Sequence, residues 1–237
     1  MVRACLLVAL LGACAACGDD GGSIDAPIDM TVVDIDNGAC GSEVRFTGEY
    51  VDWDDDASFC GIFGAVFRVR AGASTSTTAP NGRFDVCVPD QAITLVDITP
   101  GTDDSACTTP PGPYTLPGIA VANKQVIFAV GGEFSGRGFT TARQATAIGE
   151  AINPARGHVF VHVVGTPRQL LISAAHGPTQ AVATTAWEPG AIGHEVFFPN
   201  VEVGAGTTML TTTGASVGTG AVPVVAGTIT NVTIVLN

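Results

Sequence analysis

The chain reads as an all-β protein built from two antiparallel β-sandwich domains joined by one short helix. Three observations predict this. Short apolar runs rich in Val, Ile, Phe and Thr recur along the sequence, separated by Gly, Pro and Asn-Gly punctuation. Several of these runs alternate apolar and polar residues with a period of two, as a strand buried on one face does. Hydrophobic residues make up 46% of the 237 residues and 30 are glycine, so core-forming and turn-forming residues are both plentiful. Two sandwiches of about 80 to 90 residues fit this length better than one large sheet.

The first domain is expected over residues 41–132. Val44 to Val51 alternates as a half-buried strand, and Ile62 to Arg70 follows with Ala65, Phe67 and Val69 on one face. Asn81-Gly82 suits a turn with positive φ and leads into Arg83 to Val88, where Phe84, Val86 and Val88 point inward. Ala92 to Ile98 is the next strand, residues 101–117 form a loop, and Val126 to Val130 is a short apolar strand. Residues 133–156 read as a linker, and the glycine-rich stretch Gly131 to Gly138 that leads into it is a loop. Thr141-Ala142-Arg143-Gln144 has capping-box form. Ala145, Ile148 and Ile152 recur at helical spacing until Asn153-Pro154, which predicts the connecting helix. The second domain covers residues 157–237. Its strands are expected at His158 to Val164, Gln169 to Ala174, Gln180 to Ala186, Glu195 to Val203, Thr207 to Thr213 and Ala221 to Leu236. A turn or bulge at Ala226-Gly227 divides the last of these.

The sequence begins with Arg3, an apolar run from Ala4 to Leu11, and small residues ending at Cys14 or Cys17. The run is too short to span a bilayer. Leu11-Gly12-Ala13-Cys14 and Cys14-Ala15-Ala16-Cys17 each resemble a bacterial lipoprotein signal, in which the mature chain starts at a lipid-modified cysteine. Leaving residues 1–16 as signal peptide and lipidating Cys17 keeps an even set of later cysteines: Cys40, Cys60, Cys87 and Cys107. Cys14 is the alternative lipidation site. A soluble secreted chain cut by the ordinary signal peptidase is the remaining option. Residues 17–40 then form a tether. Positions 18–39 carry six aspartates and no basic residue, and a flexible chain of that length spans roughly 25 Å.

A second resemblance lies further along the chain. Gly48-Glu49-Tyr50-Val51-Asp52, the Ile62-Phe63-Gly64-Ala65-Val66 segment, and Asn81-Gly82-Arg83-Phe84 with Val86 and Val88-Pro89 resemble the carboxypeptidase regulatory-like domain. The match covers about residues 44–98, with a fainter echo at Phe198-Pro199-Asn200-Val201. The resemblance implies a transthyretin/Ig-like sandwich that serves as an accessory or surface module, and it brings no catalytic residues. Fold alone supplies no ligand.

Charge and motifs narrow the function. A net charge of −12 repels phosphate backbones, so nucleic acid is not an expected partner. The four later cysteines include no C-x-x-C pair and have no histidine among them. Two disulfides are therefore expected rather than a zinc site, in one of three connectivities. Asp52-Trp53-Asp54-Asp55-Asp56 reads as a solvated turn; calcium binding is the functional alternative. His158 and His162 share a strand face about 13 Å apart, too far to hold one metal, and are expected to be half-exposed. His194-Glu195 does not open an H-E-x-x-H motif, because Phe198 stands where the second histidine would be. No phosphate-loop motif occurs. No catalytic, metal or cofactor site is therefore expected.

The expected function is that of a non-catalytic cell-envelope protein, exported and lipid-anchored at the outer membrane or cell surface, whose sandwiches bind or support. One alternative is recognition of a glycan or peptide by loop aromatics, with Trp53 and Trp187 as stacking surfaces. Another is an accessory domain of an extracytoplasmic hydrolase, or such an enzyme itself. The expected partners are the membrane, through the anchor, and a glycan or protein ligand.

Overall fold

The computed structural model describes residues 40–53, 61–91, 93–101, 116–123, 133–139, 150–182, 186–213 and 215–236. The protein is all-β: fifteen strands and no α-helix occur among the described residues. From the first half of the chain come β1 (Val44–Asp52), β2 (Val66–Val69), β3 (Thr75–Thr77), β4 (Arg83–Val88), β5 (Ile93–Thr99), β6 (Gly118–Asn123) and β7 (Phe134–Gly138). From the second come β8 (Gly157–Gly165), β9 (Leu170–Ile172), β10 (Gln180–Val182), β11 (Trp187–Pro189), β12 (Glu195–Val201), β13 (Thr207–Thr212), β14 (Ala215–Pro223) and β15 (Ile229–Leu236).

The strands form three sheets. A central sheet of nine has the order β11-β10-β12-β8-β15-β6-β5-β2-β3, and two sheets of three have the orders β4-β1-β7 and β14-β13-β9. Alternation along the central strands decides which residues face which small sheet. Phe67, Val69, Val96, Ile98, Ala120 and Ala122 join Phe46, Tyr50, Phe84 and Phe134 of β1, β4 and β7 in one core. The opposite face sends Val121, Val159, Val161, Val163, Val196 and Val232 against Leu170, Leu210 and Val222. A third cluster, Trp53, Phe139, Phe160, Phe197 and Ile229, lies on the first face beyond β7.

The nine-stranded sheet takes strands from both expected domains, so its hydrogen bonding runs unbroken across the expected linker at 133–156. The seam is made by β15. It pairs parallel with β6 on one side and with β8 on the other, and β7 also runs parallel to β1. The pairing is therefore mixed rather than wholly antiparallel as expected. Most of the expected helix, 141–149, lies outside the described residues. Ala151–Asn153 are not helical. Asn200, with φ 47°, holds them: its side chain accepts from the Asn153 N–H and donates to the Ala151 carbonyl. The expected strand at Val126–Val130 also lies outside the described residues.

Several strands correct the sequence reading: β3, β11 and most of β14 were not expected, and neither were β6 and β7. β6 falls between the expected loop at 101–117 and the expected strand at 126–130. All six of its residues are buried, so it shows none of the alternation that reveals a half-exposed strand. β7 occupies the stretch expected to be a loop. Its glycines mark close packing rather than a turn. A Cβ on Gly136 would lie 2.8 Å from Phe134 Cε1, and one on Gly138 would lie 2.3 Å from Ile62 Cδ1.

Cys40 and Cys87 form a disulfide that ties the first of the described residues to β4. Phe84, Val86 and Val88 point inward as expected, which turns Cys87 to the outer face of its strand. Cys60 and Cys107 lie outside the described residues.

Candidate functional site

The more open of the two candidate sites is a groove of about 390 Å³ whose lining includes Arg45, Ser76, Arg83, Phe84, Asp85 and Glu133. Its charges are already paired: Arg45 with Asp85, and Arg83 with Glu49 at 2.9 Å. Exposed pairs of this kind contribute little to stability. They leave the groove no unmatched charge with which to select a ligand.

The second candidate is buried, on the face of the central sheet next to β7. Asn231 of β15 accepts the Arg137 backbone N–H at 2.9 Å, which satisfies a donor on the edge of β7. The Arg137 side chain then reaches β12. Its Nε and Nη2 donate to Glu195 Oε1 at 3.2 and 2.5 Å, and its Nη1 donates to the Asp52 carbonyl at 2.9 Å. The side chains of this ion pair are 7% and 10% exposed. A pair so desolvated is held by geometry, and loss of either partner would strand a buried charge.

Pairing register extends the site sideways. Trp187 stands opposite Val182, Val182 opposite Glu195, Glu195 opposite His162, and His162 opposite Thr233. These five residues form one transverse row across β11, β10, β12, β8 and β15. One residue past the last β15–β6 pair, Val232 with Val121, Ala122 of β6 stands opposite Thr94 of β5. Glu195 Oε2, His162 Nδ1, Thr233 Oγ1 and Thr94 Oγ1 are buried atoms with no hydrogen-bond partner among the described residues. His162 Nδ1 stands 3.9 Å from Glu195 Oε1, and its side chain is 25% exposed.

Both strand histidines share a face, as expected; His162 keeps a quarter of its side chain in solvent, whereas His158 does not. His158 is fully buried and stacks on Phe197 with ring centroids 5.8 Å apart. Its Nδ1 accepts the Asn200 N–H, which assigns the ring proton to Nε2. Burial pushes the His158 pKa down to about 4. His162 falls to about 4 as well, through burial first and then the charges of Arg137 and His194. Tyr50 on β1 is displaced the other way: burial, and then the Asp52 carboxylate, push its phenol up.

The aromatic residues expected at loop tips pack inward. Trp53 is 1% exposed and stacks on Trp187 with centroids 3.7 Å apart. Trp187 Nε1 donates to the Trp53 carbonyl. Trp53 therefore offers no free face for a ligand, while Trp187 is half-buried at the edge of the sheet. Asp52 is buried beside Trp53; Asp54, Asp55 and Asp56 lie outside the described residues. No group of three metal-ligating side chains occurs among the described residues.

The order Thr233, His162, Glu195 resembles a nucleophile, base and orienting acid. The geometry assembles no such relay. The carboxylate stands beyond hydrogen-bond reach of the imidazole, and Thr233 is fully buried. What the row does offer is hydrogen bonding: a carboxylate oxygen held in place by Arg137, a neutral imidazole and a hydroxyl. Arg137 lay in a stretch read as a loop, and Glu195 drew notice only as the second letter of a failed zinc motif. The available signal was parity, because Glu195 and His162 interrupt the buried positions of strands otherwise rich in Val and Phe. No protein-family model, curated protein or solved structure matches the chain.

Proposed function

We propose that this is an exported cell-envelope protein, anchored by lipid on Cys17, that holds a non-catalytic β-sandwich module away from the membrane on an acidic tether. The observation that carries the reading is the Cys40–Cys87 disulfide, formed at the point where the tether meets the folded part. A bridge of this kind persists in an oxidising compartment. A leader ending in cysteine supports the anchor. The sandwich-like core around β1, β2, β4 and β5 supports the likeness of residues 44–98 to an accessory regulatory-like domain. Mass spectrometry of the mature N-terminal peptide tests the proposal: a diacylglyceryl group on Cys17 is expected. An unmodified terminus would refute the anchor, and modification of Cys14 would move it. A binding role for the module is favoured by half-buried Trp187, which lies in register with the polar row.

A further inference from the structure

The two three-stranded sheets cover opposite faces of the central sheet, and their outer surfaces differ in charge. The outer face of β4-β1-β7 carries Arg45, Glu49, Arg83 and Asp85. By contrast, β9, β13 and β14 contain no charged residue, nor does any position from 203 to 237. We propose that the outer face of β14-β13-β9 is a self-complementary surface on which a second copy of this chain docks.

Register assembles the face. Leu171 of β9 stands opposite Thr211 of β13, Met209 opposite Ala221 of β14, and Thr207 opposite Pro223. Alternation turns Leu170, Leu210 and Val222 into the core and leaves these six on the other side. Leu171 and Met209 are diagonal neighbours there, 47% and 49% exposed. The Leu170 N–H donates to the Ala191 carbonyl at 2.9 Å, which brings exposed Ile192 beside β9.

Composition selects the occupant. In a two-fold interface each patch meets itself, so a charge near the axis meets its own kind. This face has none, whereas the chain as a whole carries −12, which opposes self-association through charged surfaces. The hydroxyls of Thr207 and Thr211 both donate and accept, so they pair with the same groups of a second copy. A lipid surface fits less well. Faces that lie on membranes present Lys or Arg to the headgroups, and hydrocarbon would leave the threonines unpaired. Three strands about 4.8 Å apart and as long as six-residue β13 make a face of roughly 14 by 20 Å. Standard interfaces, about three times larger, reach micromolar affinity and tighter, so this dimer is transient, weaker than about 1 μM.

This inference goes beyond the anchored module and holds with or without the lipid. The test is sedimentation equilibrium on the chain from Gly18 onward, which keeps every described residue and omits both candidate lipidation cysteines. A monomer–dimer equilibrium is expected between micromolar and millimolar protein. It should tighten as salt is raised, because salt screens the repulsion between acidic copies and the face has no ion pair to lose. Met209→Lys should weaken it about tenfold or more, since two lysines then meet across the interface. Thr75→Lys on β3 adds the same charge elsewhere and should leave it unchanged. A protein that is monomeric at millimolar concentration, a dimer loosened by salt, or one indifferent to Met209→Lys would overturn the proposal. So would a monomer that binds phosphatidylethanolamine–phosphatidylglycerol vesicles through Met209, which makes a lipid surface the occupant. The anchor is untouched by any of these results, since it is read separately at the N-terminal peptide.

Discussion

Acid should loosen this fold through two strand histidines, buried His158 and partly buried His162. His158 and His162 titrate at about 4 in the folded protein, against 6.5 for an ordinary imidazole. Above pH 6.5 both states hold these rings neutral, and the histidines cost the fold nothing. Below it the unfolded chain takes up protons that the folded protein refuses, so stability falls with pH until the folded rings titrate near 4. The slope is about 1.36 kcal/mol per pH unit for each ring, and the fall from 6.5 to 5 therefore removes about 2 kcal/mol per histidine. His162 is partly exposed, which makes its share the smaller; together the pair should cost about 3–4 kcal/mol. Urea denaturation at pH 7.5 and pH 5 measures the total, to which carboxylates also contribute. His158→Asn isolates one ring, because an asparagine oxygen at that place still accepts the Asn200 N–H while the titrating group is gone. The variant should lose about 2 kcal/mol less than the parent between the two pH values. Parallel stability curves for parent and variant would refute the reasoning.

Other outcomes follow from packing and cross-links. Arg137→Met should cost about 3–5 kcal/mol, because it leaves Glu195 charged and buried; adding Glu195→Met should recover part of that loss in a urea-denaturation cycle. Reducing Cys40–Cys87, which joins positions 47 apart in sequence, should remove about 4 kcal/mol of stability by loop entropy, read from melting with and without reductant. Gly48→Ala should destabilise by about 1–3 kcal/mol, since the new Cβ would sit 2.2 Å from the Phe134 carbonyl oxygen; the denaturation midpoint reports it. A non-reducing peptide map should find Cys60 joined to Cys107, the partner that Cys40 and Cys87 leave it.

Strands were legible in sequence either by alternation or, as in β8, β12 and β15, by a long run of apolar and β-branched residues. β1, β4 and β5 alternate, and the sequence placed each within a residue or two. β6 escaped because it is covered on both faces, which removes the period-two signal, and Gly118–Asn123 holds only two β-branched residues, Ile119 and Val121, to mark it as a strand. β7 escaped because the same glycines that usually mark a turn are here the only residues small enough to pass Tyr50 and Ile62. The mixed pairing was hidden for a different reason. Parallel neighbours are set by a long return of the chain, and nothing local in Ile229–Leu236 says which strands it will lie between. The polar row was hidden in the same way. Glu195, His162 and Thr233 become neighbours only through the register of three strands, and Arg137 joins them from a fourth.

The position of β15 also governs when the protein can fold. β6 and β8 are separated in the sheet by a strand synthesised after both of them. A chain that emerges N-terminus first, from a ribosome or a translocation pore, holds β5 and β6 before their far neighbour exists. The central sheet cannot close until the last strand is released. The layer built from residues 44–134 needs no residue of β15, whereas the layer on the opposite face includes Val232 and Ile234 and is completed only when that strand arrives.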